Sequence, residues 1–240
     1  MIPRSTRQSS SCCRPEVAAT GAAIFDLDGL LVDSEVLWHK AELEILVPLG
    51  APIDQETTRA TKGMFVEEVV RYWHGLAGWG SPSDDEVVAS ILSRVGALVE
   101  SEGRLLPGAR RAVELAAGLG PTVLASSTPR SLIDRVLAHF DLDASFASIH
   151  SAEDEDFGKP HPAVFLTAAA ATGVAPPSCV VFEDSQAGVI AAKAARMGCV
   201  AVPAAEERGA AAFGLADLVL DTLEDFEEGW LAARYRADQR

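Results

Sequence analysis

The sequence predicts an α/β protein, a doubly wound parallel sheet interrupted by an inserted all-helical segment. Three observations predict it. Five short apolar runs, at 22–25, 122–125, 179–182, 199–202 and 218–220, are each followed by a turn and a helical pattern. Near-continuous apolar strands alternating with helices belong to a parallel sheet covered on both faces. Between Val36 and Arg104 such runs vanish and helical periodicity replaces them. Finally, residues able to do chemistry stand just before the helices, where open α/β sheets bind their ligands.

Taken in order, residues 1–20 carry Arg4, Arg7, three consecutive serines and a proline but no apolar core, so a secretory signal is not expected. They read as a flexible tail. The first strand, 22–25, leads to the insertion at 36–104. Within it Trp38, Ala41, Ile45 and Leu49 share one helical face. A loop at 75–82 precedes a capping box of Ser83 and Glu86, followed by a stripe of Val88, Ile91, Val95 and Leu98. The chain then rejoins the core near Leu105, so 21–35 and 105–240 form the core domain and 36–104 a helical cap domain. Hinges are expected at 31–34 and 107–108. After the second strand, Thr128 caps a helix starting at Pro129, with Leu132, Ile133, Val136, Leu137 and Phe140 as its apolar stripe. A short strand is expected at 148–150. A helix at 162–172 is closed by Gly173, and one at 186–197 by Gly198.

Composition narrows the function. An apolar fraction of 48% with 23% charged residues describes a globular chain. No apolar run reaches membrane-spanning length. The net charge of -15 disfavours nucleic acid and acidic membrane surfaces as partners. Cys12, Cys13, Cys179 and Cys199 show no zinc spacing and read as free thiols of a cytoplasmic protein. The oligomeric state is not legible; a monomer is compatible with everything above.

Four segments carry chemistry. In Phe25-Asp26-Leu27-Asp28-Gly29 two carboxylates at i and i+2 of an extended chain point the same way, and Gly29 permits a sharp turn. One can attack while the other, if protonated, donates to a leaving oxygen. The same pattern also opens calcium loops, although Leu30 and Leu31 stand where an EF-hand needs further ligands. In Ala125-Ser126-Ser127-Thr128-Pro129 a strand ends in hydroxyls at a helix start, an anion site or a simple cap. In Gly158-Lys159-Pro160-His161-Pro162, Pro160 holds Lys159 extended, where it can present a fixed charge. In Phe182-Glu183-Asp184-Ser185, adjacent acids end a buried strand, which is costly unless a hard cation such as Mg²⁺ compensates them. By contrast, Glu153-Asp154-Glu155-Asp156 follows no strong strand signal and reads as a solvated face.

These segments, in this order, resemble the four motifs of the haloacid dehalogenase superfamily of aspartyl-phosphate hydrolases, over residues 21 to 225. The resemblance extends to the beta-phosphoglucomutase-like subgroup. It extends in particular to sugar phosphatases of the hexitol and 2-deoxyglucose-6-phosphate type, through Leu37-Trp38, Ala41-Glu42-Leu43 and Ala194-Ala195-Arg196-Met197. It implies a Rossmann-like core and roles for single residues. Asp26 would be nucleophile and Mg²⁺ ligand. Asp28 would be acid and base and would lend its backbone carbonyl to the metal. Ser126, Ser127 and Lys159 would hold the phosphoryl group, and Glu183 and Asp184 would complete the metal site. Lys62, Gly63 and Trp38 are candidate substrate contacts in the cap.

Departures from the mutases matter. Their cap arginine, three residues after a Lys-Gly pair, is replaced here by Val66, and their cap histidine by Trp38, although His39 is adjacent. The expected activity is therefore hydrolysis of small phosphate monoesters, with a sugar phosphomutase or a non-catalytic phosphate-binding protein as the alternatives.

Overall fold

The computed structural model describes residues 21–54, 57 and 64–237. The tail over residues 1–20 and the candidate contacts Lys62 and Gly63 lie outside the described residues. Six strands, β1 (Ala22–Phe25), β2 (Thr122–Ser126), β3 (Ser148–Ser151), β4 (Cys179–Glu183), β5 (Gly198–Ala201) and β6 (Leu218–Val219), form one sheet in the order β3-β2-β1-β4-β5-β6. Every pair is parallel. The order reverses direction between β1 and β4, so the crevice at their carboxyl ends is the binding position of such sheets.

The strands are apolar on both sides because both sides are covered. Ala23 and Phe25 of β1 join one buried cluster with Leu124, Val180, Phe182 and Val200. Ala22 and Ile24 join the other with Val123, Val181, Cys199 and Ala201. That split is the two-residue period of a strand expressed as two cores. The first cluster is closed by helices α4 (Ala109–Ala117), α5 (Arg130–His139) and α8 (Glu228–Ala237), the second by α6 (Ala163–Thr172) and α7 (Gln186–Ala194). Phe25 and Phe182 are register partners and stack with centroids 4.3 Å apart. Such pairs add about 0.5–1.5 kcal/mol to the burial of each ring. They also fix the level at which β1 and β4 end together.

Between β1 and α4 the described residues contain no strand. They form α1 (Glu35–Leu46), α2 (Val66–Ala77) and α3 (Asp84–Glu102). The Ser83–Glu86 capping box is present. On α1 Leu37, Ala41, Glu42 and Leu46 are buried, and Trp38, Ile45 and Leu49 of the expected stripe pack partly buried against the same core. Two surface ion pairs, Lys40–Glu102 and Arg94–Glu44, tie α1 to α3. The guanidinium of Arg135 on α5 grips Glu100 of α3 through two hydrogen bonds of 2.5 and 2.7 Å. The two connecting segments zip together. Asp33 N–H donates to the Arg104 carbonyl, Leu106 N–H to that of Leu31, and Val32 bridges Leu105.

Three sequence expectations need correction. The helix α2 runs through Ala77 and closes at Gly78 in the left-handed region, so the loop expected from Gly75 begins three residues later. The helix α7 ends at Ala194 because Arg196 adopts a φ of 63°, a turn the expectation had assigned to Gly198. Gly198 instead opens β5, close against Val180. Finally, α5 starts at Arg130, not at Pro129, and Thr128 does not cap it.

Candidate active site

The site is assembled by strand ends. Because Phe25 pairs with Phe182, the next residues, Asp26 and Glu183, emerge side by side, and Asp26 N–H donates to the Phe182 carbonyl. Asp184 follows directly. Ser126, the last residue of β2, is buried beside them. Lys159, in the loop before α6, reaches in beneath this edge with its side chain 5% exposed.

Its ammonium donates to Asp26 Oδ1 (2.8 Å), Glu183 Oε1 (2.6 Å) and the Ala125 carbonyl (3.5 Å), and lies over the Phe165 ring. The second oxygen of Glu183, Oε2, accepts from the N–H and hydroxyl of Ser185. Both Glu183 oxygens are thus engaged. Asp26 Oδ2 and the whole Asp184 carboxylate have no hydrogen-bond donor among the described residues.

One oxygen from each of Asp26, Glu183 and Asp184 lies within 4.8 Å of the others. Three buried carboxylates face one lysine, and this imbalance shows in their proton affinities. Burial pushes Asp26 up to about 7; Lys159 pulls it down and Glu183 pushes it up. Burial also raises Asp184 well above the carboxylate range, reinforced by Glu183, Asp26 and Glu35. Burial works against the charge on Lys159, but Asp26 and Glu183 outweigh it and raise its pKa. A divalent cation would supply the missing countercharge. An all-oxygen donor set of carboxylates fits Mg²⁺ by its hardness.

Two glycines make the arrangement possible. Gly29 has a φ of 74°, and a Cβ there would overlap Asp184 Oδ2. A Cβ on Gly188, in the first turn of α7, would overlap Glu183 Oε1.

Asp28 faces elsewhere. Its Oδ1 accepts from Ser34 Oγ (2.6 Å) and Trp38 Nε1 (3.0 Å), and its Oδ2 from Thr128 Oγ1 (2.5 Å). Its carboxylate therefore stands outside the Asp26–Glu183–Asp184 group. Trp38, a candidate substrate contact, donates its indole N–H to Asp28. Ser34 and Thr128 were missed as its partners. Thr128 had been read as a helix cap, a local role that its hydroxyl gives up for a carboxylate acceptor. The solvated-face reading of 153–156 also needs amendment at one residue, since Glu153 accepts the Arg130 N–H at the start of α5. Ser127 lines a cleft of about 230 Å³ with Phe65, Glu68, Phe157, Gly158 and Lys159. The Phe65 ring sits on Gly158, so α2 leans on the loop that carries Lys159.

A doubly wound sheet with acids and a buried lysine at its switch point places this site where such sheets bind their ligands, and the comparisons with known proteins give its class as a hydrolase. The chain belongs to the haloacid dehalogenase-like hydrolase family, whose model matches residues 20–196. It is 45% identical over 206 residues to hexitol phosphatase B of Escherichia coli (strain K12), covering 85% of this chain and 93% of that protein. Its fold matches beta-phosphoglucomutase from Clostridium difficile with a TM-score of 0.77 at 24% identity, covering 91% and 98% of the two chains. CbbY from Rhodobacter sphaeroides in complex with phosphate matches with a TM-score of 0.74 at 27% identity, covering 85% and 95%. No helix among the described residues is long and apolar enough to cross a membrane.

Proposed function

We propose that this protein is a Mg²⁺-dependent cytoplasmic phosphatase that hydrolyses small phosphate monoesters, sugar or sugar-alcohol phosphates, through a phosphorylated Asp26. The observation that carries the reading is the buried group of Asp26, Lys159, Glu183 and Asp184 at the switch point. The similarity to hexitol phosphatase B supports the substrate class.

Asp26 Oδ2, free of hydrogen-bond donors, attacks phosphorus, and the ester oxygen leaves with a proton from Asp28. A water molecule, giving its proton back to Asp28, then attacks the phosphoaspartate and releases inorganic phosphate. Lys159, Ser126 and Ser127 hold the phosphoryl oxygens. Asp26, Glu183, Asp184 and the Asp28 backbone carbonyl would hold Mg²⁺, which supplies positive charge against the repulsion between carboxylate and phosphate. One such charge pair at 4 Å costs about 4 kcal/mol near a protein surface, so positioning and charge neutralisation are what the site must provide. Ser34, Trp38 and Thr128 orient Asp28 for both proton transfers. Residues 36–104 act as a cap domain over the core formed by 21–35 and 105–240, excluding bulk water.

Val66 favours the phosphatase over the mutase. It is 5% exposed at the start of α2 within the apolar core, an apolar side chain where the mutases carry the arginine that holds a second phosphate. The test is phosphate release from a panel of phosphomonoesters with Mg²⁺, comparing the native chain with Asp26→Asn. Release by the native chain alone is expected. No release from any ester, or equal release by the variant, would overturn the proposal. Interconversion of glucose 1- and 6-phosphates faster than hydrolysis would favour the mutase.

A further inference from the structure

Helix α1 presents an acid that neither the fold nor the chemistry above uses. Glu42 is 8% exposed, and it has no hydrogen-bond or ion-pair partner among the described residues. Its neighbours on α1 are accounted for. Leu37, Ala41 and Leu46 pack in the apolar core, and Lys40 and Glu44 pair with Glu102 and Arg94 of α3. Burial alone raises the Glu42 pKa to about 7. A buried, unpaired carboxyl is costly, and no part of the described fold repays that cost. Such local violations of folding rules mark functional positions.

Position says what the function is. Glu42 stands four residues after Trp38 and so projects from the same side of α1. Trp38 already reaches the Asp28 carboxylate with its indole N–H. Glu42 therefore lies about one helical turn, roughly 6 Å, along the same side of α1 from the residue that holds Asp28, the group that protonates the leaving oxygen. That separation matches the reach of a few carbons of a phosphate ester beyond its bridging oxygen.

Resting on the phosphatase reading, we infer that Glu42 is a specificity-determining residue that accepts hydrogen bonds from the hydroxyls of a neutral polyol leaving group. A carboxylate offers two oxygens to two adjacent hydroxyls and gains charge-assisted bonds. The same group repels a leaving group that carries a second phosphate or a carboxylate. The site thereby selects hexitol- or sugar-like monophosphates against bisphosphates and phosphorylated sugar acids.

The test measures kcat/KM for the full chain with Mg²⁺ on three probes: a hexitol phosphate, p-nitrophenyl phosphate, and a hexonic acid 6-phosphate. Variants are Glu42→Gln and Glu42→Leu, each with its melting temperature. The expected result is that the hexitol-to-nitrophenyl ratio falls about tenfold or more in both variants. The fall is carried mainly by KM, and discrimination against the hexonic acid phosphate narrows. Glu42→Leu should melt no lower than the native chain, since it replaces a buried unpaired acid with an apolar group. Should it fail to fold, Glu42→Gln carries the measurement alone. An unchanged ratio with active native enzyme would overturn this inference and leave the phosphatase reading intact. A native chain that releases phosphate from none of the three probes would overturn both.

Discussion

The indole N–H of Trp38 donates to Asp28 Oδ1 at 3.0 Å, so the first helix of the insertion holds the carboxylate that follows β1. The insertion and the loop after β1 are thereby joined by a side-chain hydrogen bond. Replacing Trp38 with Phe keeps an aromatic ring and removes the donor. A bond to a charged group contributes roughly 1.5–3 kcal/mol, so kcat should drop at least about tenfold. In the proposed mechanism Asp28 acts on the proton and not on the phosphate, so KM should change far less. Steady-state kinetics separate the two. A rise in KM with kcat untouched would place Trp38 at the substrate after all.

Among the described residues, Lys159 is the one cation that pairs with the three buried acids, through Asp26 and Glu183. Lys159→Met leaves Asp26 and Glu183 facing each other without it. Removing one partner of a buried pair costs about 3–5 kcal/mol. Urea unfolding of the metal-free protein at pH 8 should show a loss of that size. The loss should shrink at pH 5.5, where the acids can take up protons. Equal losses at both values would mean the pair contributes no electrostatic stability.

Metal dependence should itself depend on pH. Asp26, whose pKa is raised to about 7, binds a proton more tightly in the folded than in the unfolded chain. Its contribution to metal-free stability is full below the ordinary value of 3.8 and is lost as pH rises through about 7. Asp184 shifts in the same direction. Mg²⁺ bound only by the folded state adds stability that grows with its concentration. Melting curves with Mg²⁺ or EDTA should therefore differ more at pH 8 than at pH 5.5. In Asp184→Asn the difference should fall away at both. A metal-independent melting temperature at pH 8 would contradict the carboxylate site.

Glu42 gives a separate pH signature. Its folded value is raised from 4.5 to about 7, so its stabilising proton is present below 4.5 and lost between there and 7. In that window stability should fall as pH rises, by up to about 3 kcal/mol at 1.36 kcal/mol per unit. Glu42→Gln should flatten the pH profile by that amount and match the native chain more closely at pH 4.5 than at pH 8. Parallel profiles for the two proteins would show that the carboxyl stays charged throughout.

Gly29 serves two purposes at once, a left-handed turn and room for Asp184. Gly29→Ala should cost about 1–2 kcal/mol from the turn alone and displace the Asp184 carboxylate. Denaturation will report the first effect, and a weakened Mg²⁺ response of the melting temperature the second. If the variant unfolds more easily but responds to Mg²⁺ as before, Asp184 is not held by this contact.

The sequence by itself determined the sheet, because its strands are apolar on both faces and a helix follows most of them. It also brought Asp26, Ser126, Glu183 and Asp184 to one sheet edge, since strand-end residues inherit their place from the strand, whereas Lys159 reaches them from the loop before α6. Local ends were less legible. Arg196 takes a left-handed turn that composition assigns to Gly198, and the helix at Arg130 is started by contacts with Glu153 that lie 23 residues away. What only the tertiary structure decided is which partner each polar side chain takes. Thr128 and Trp38 could each have served its own helix or the core. They turn to Asp28 because folding brings a carboxylate from 100 residues away in one case and 10 in the other. Glu42 reads in sequence as an ordinary helical acid. It becomes conspicuous only when packing leaves it 8% exposed with no partner among the described residues, a condition set between elements and not by any local pattern.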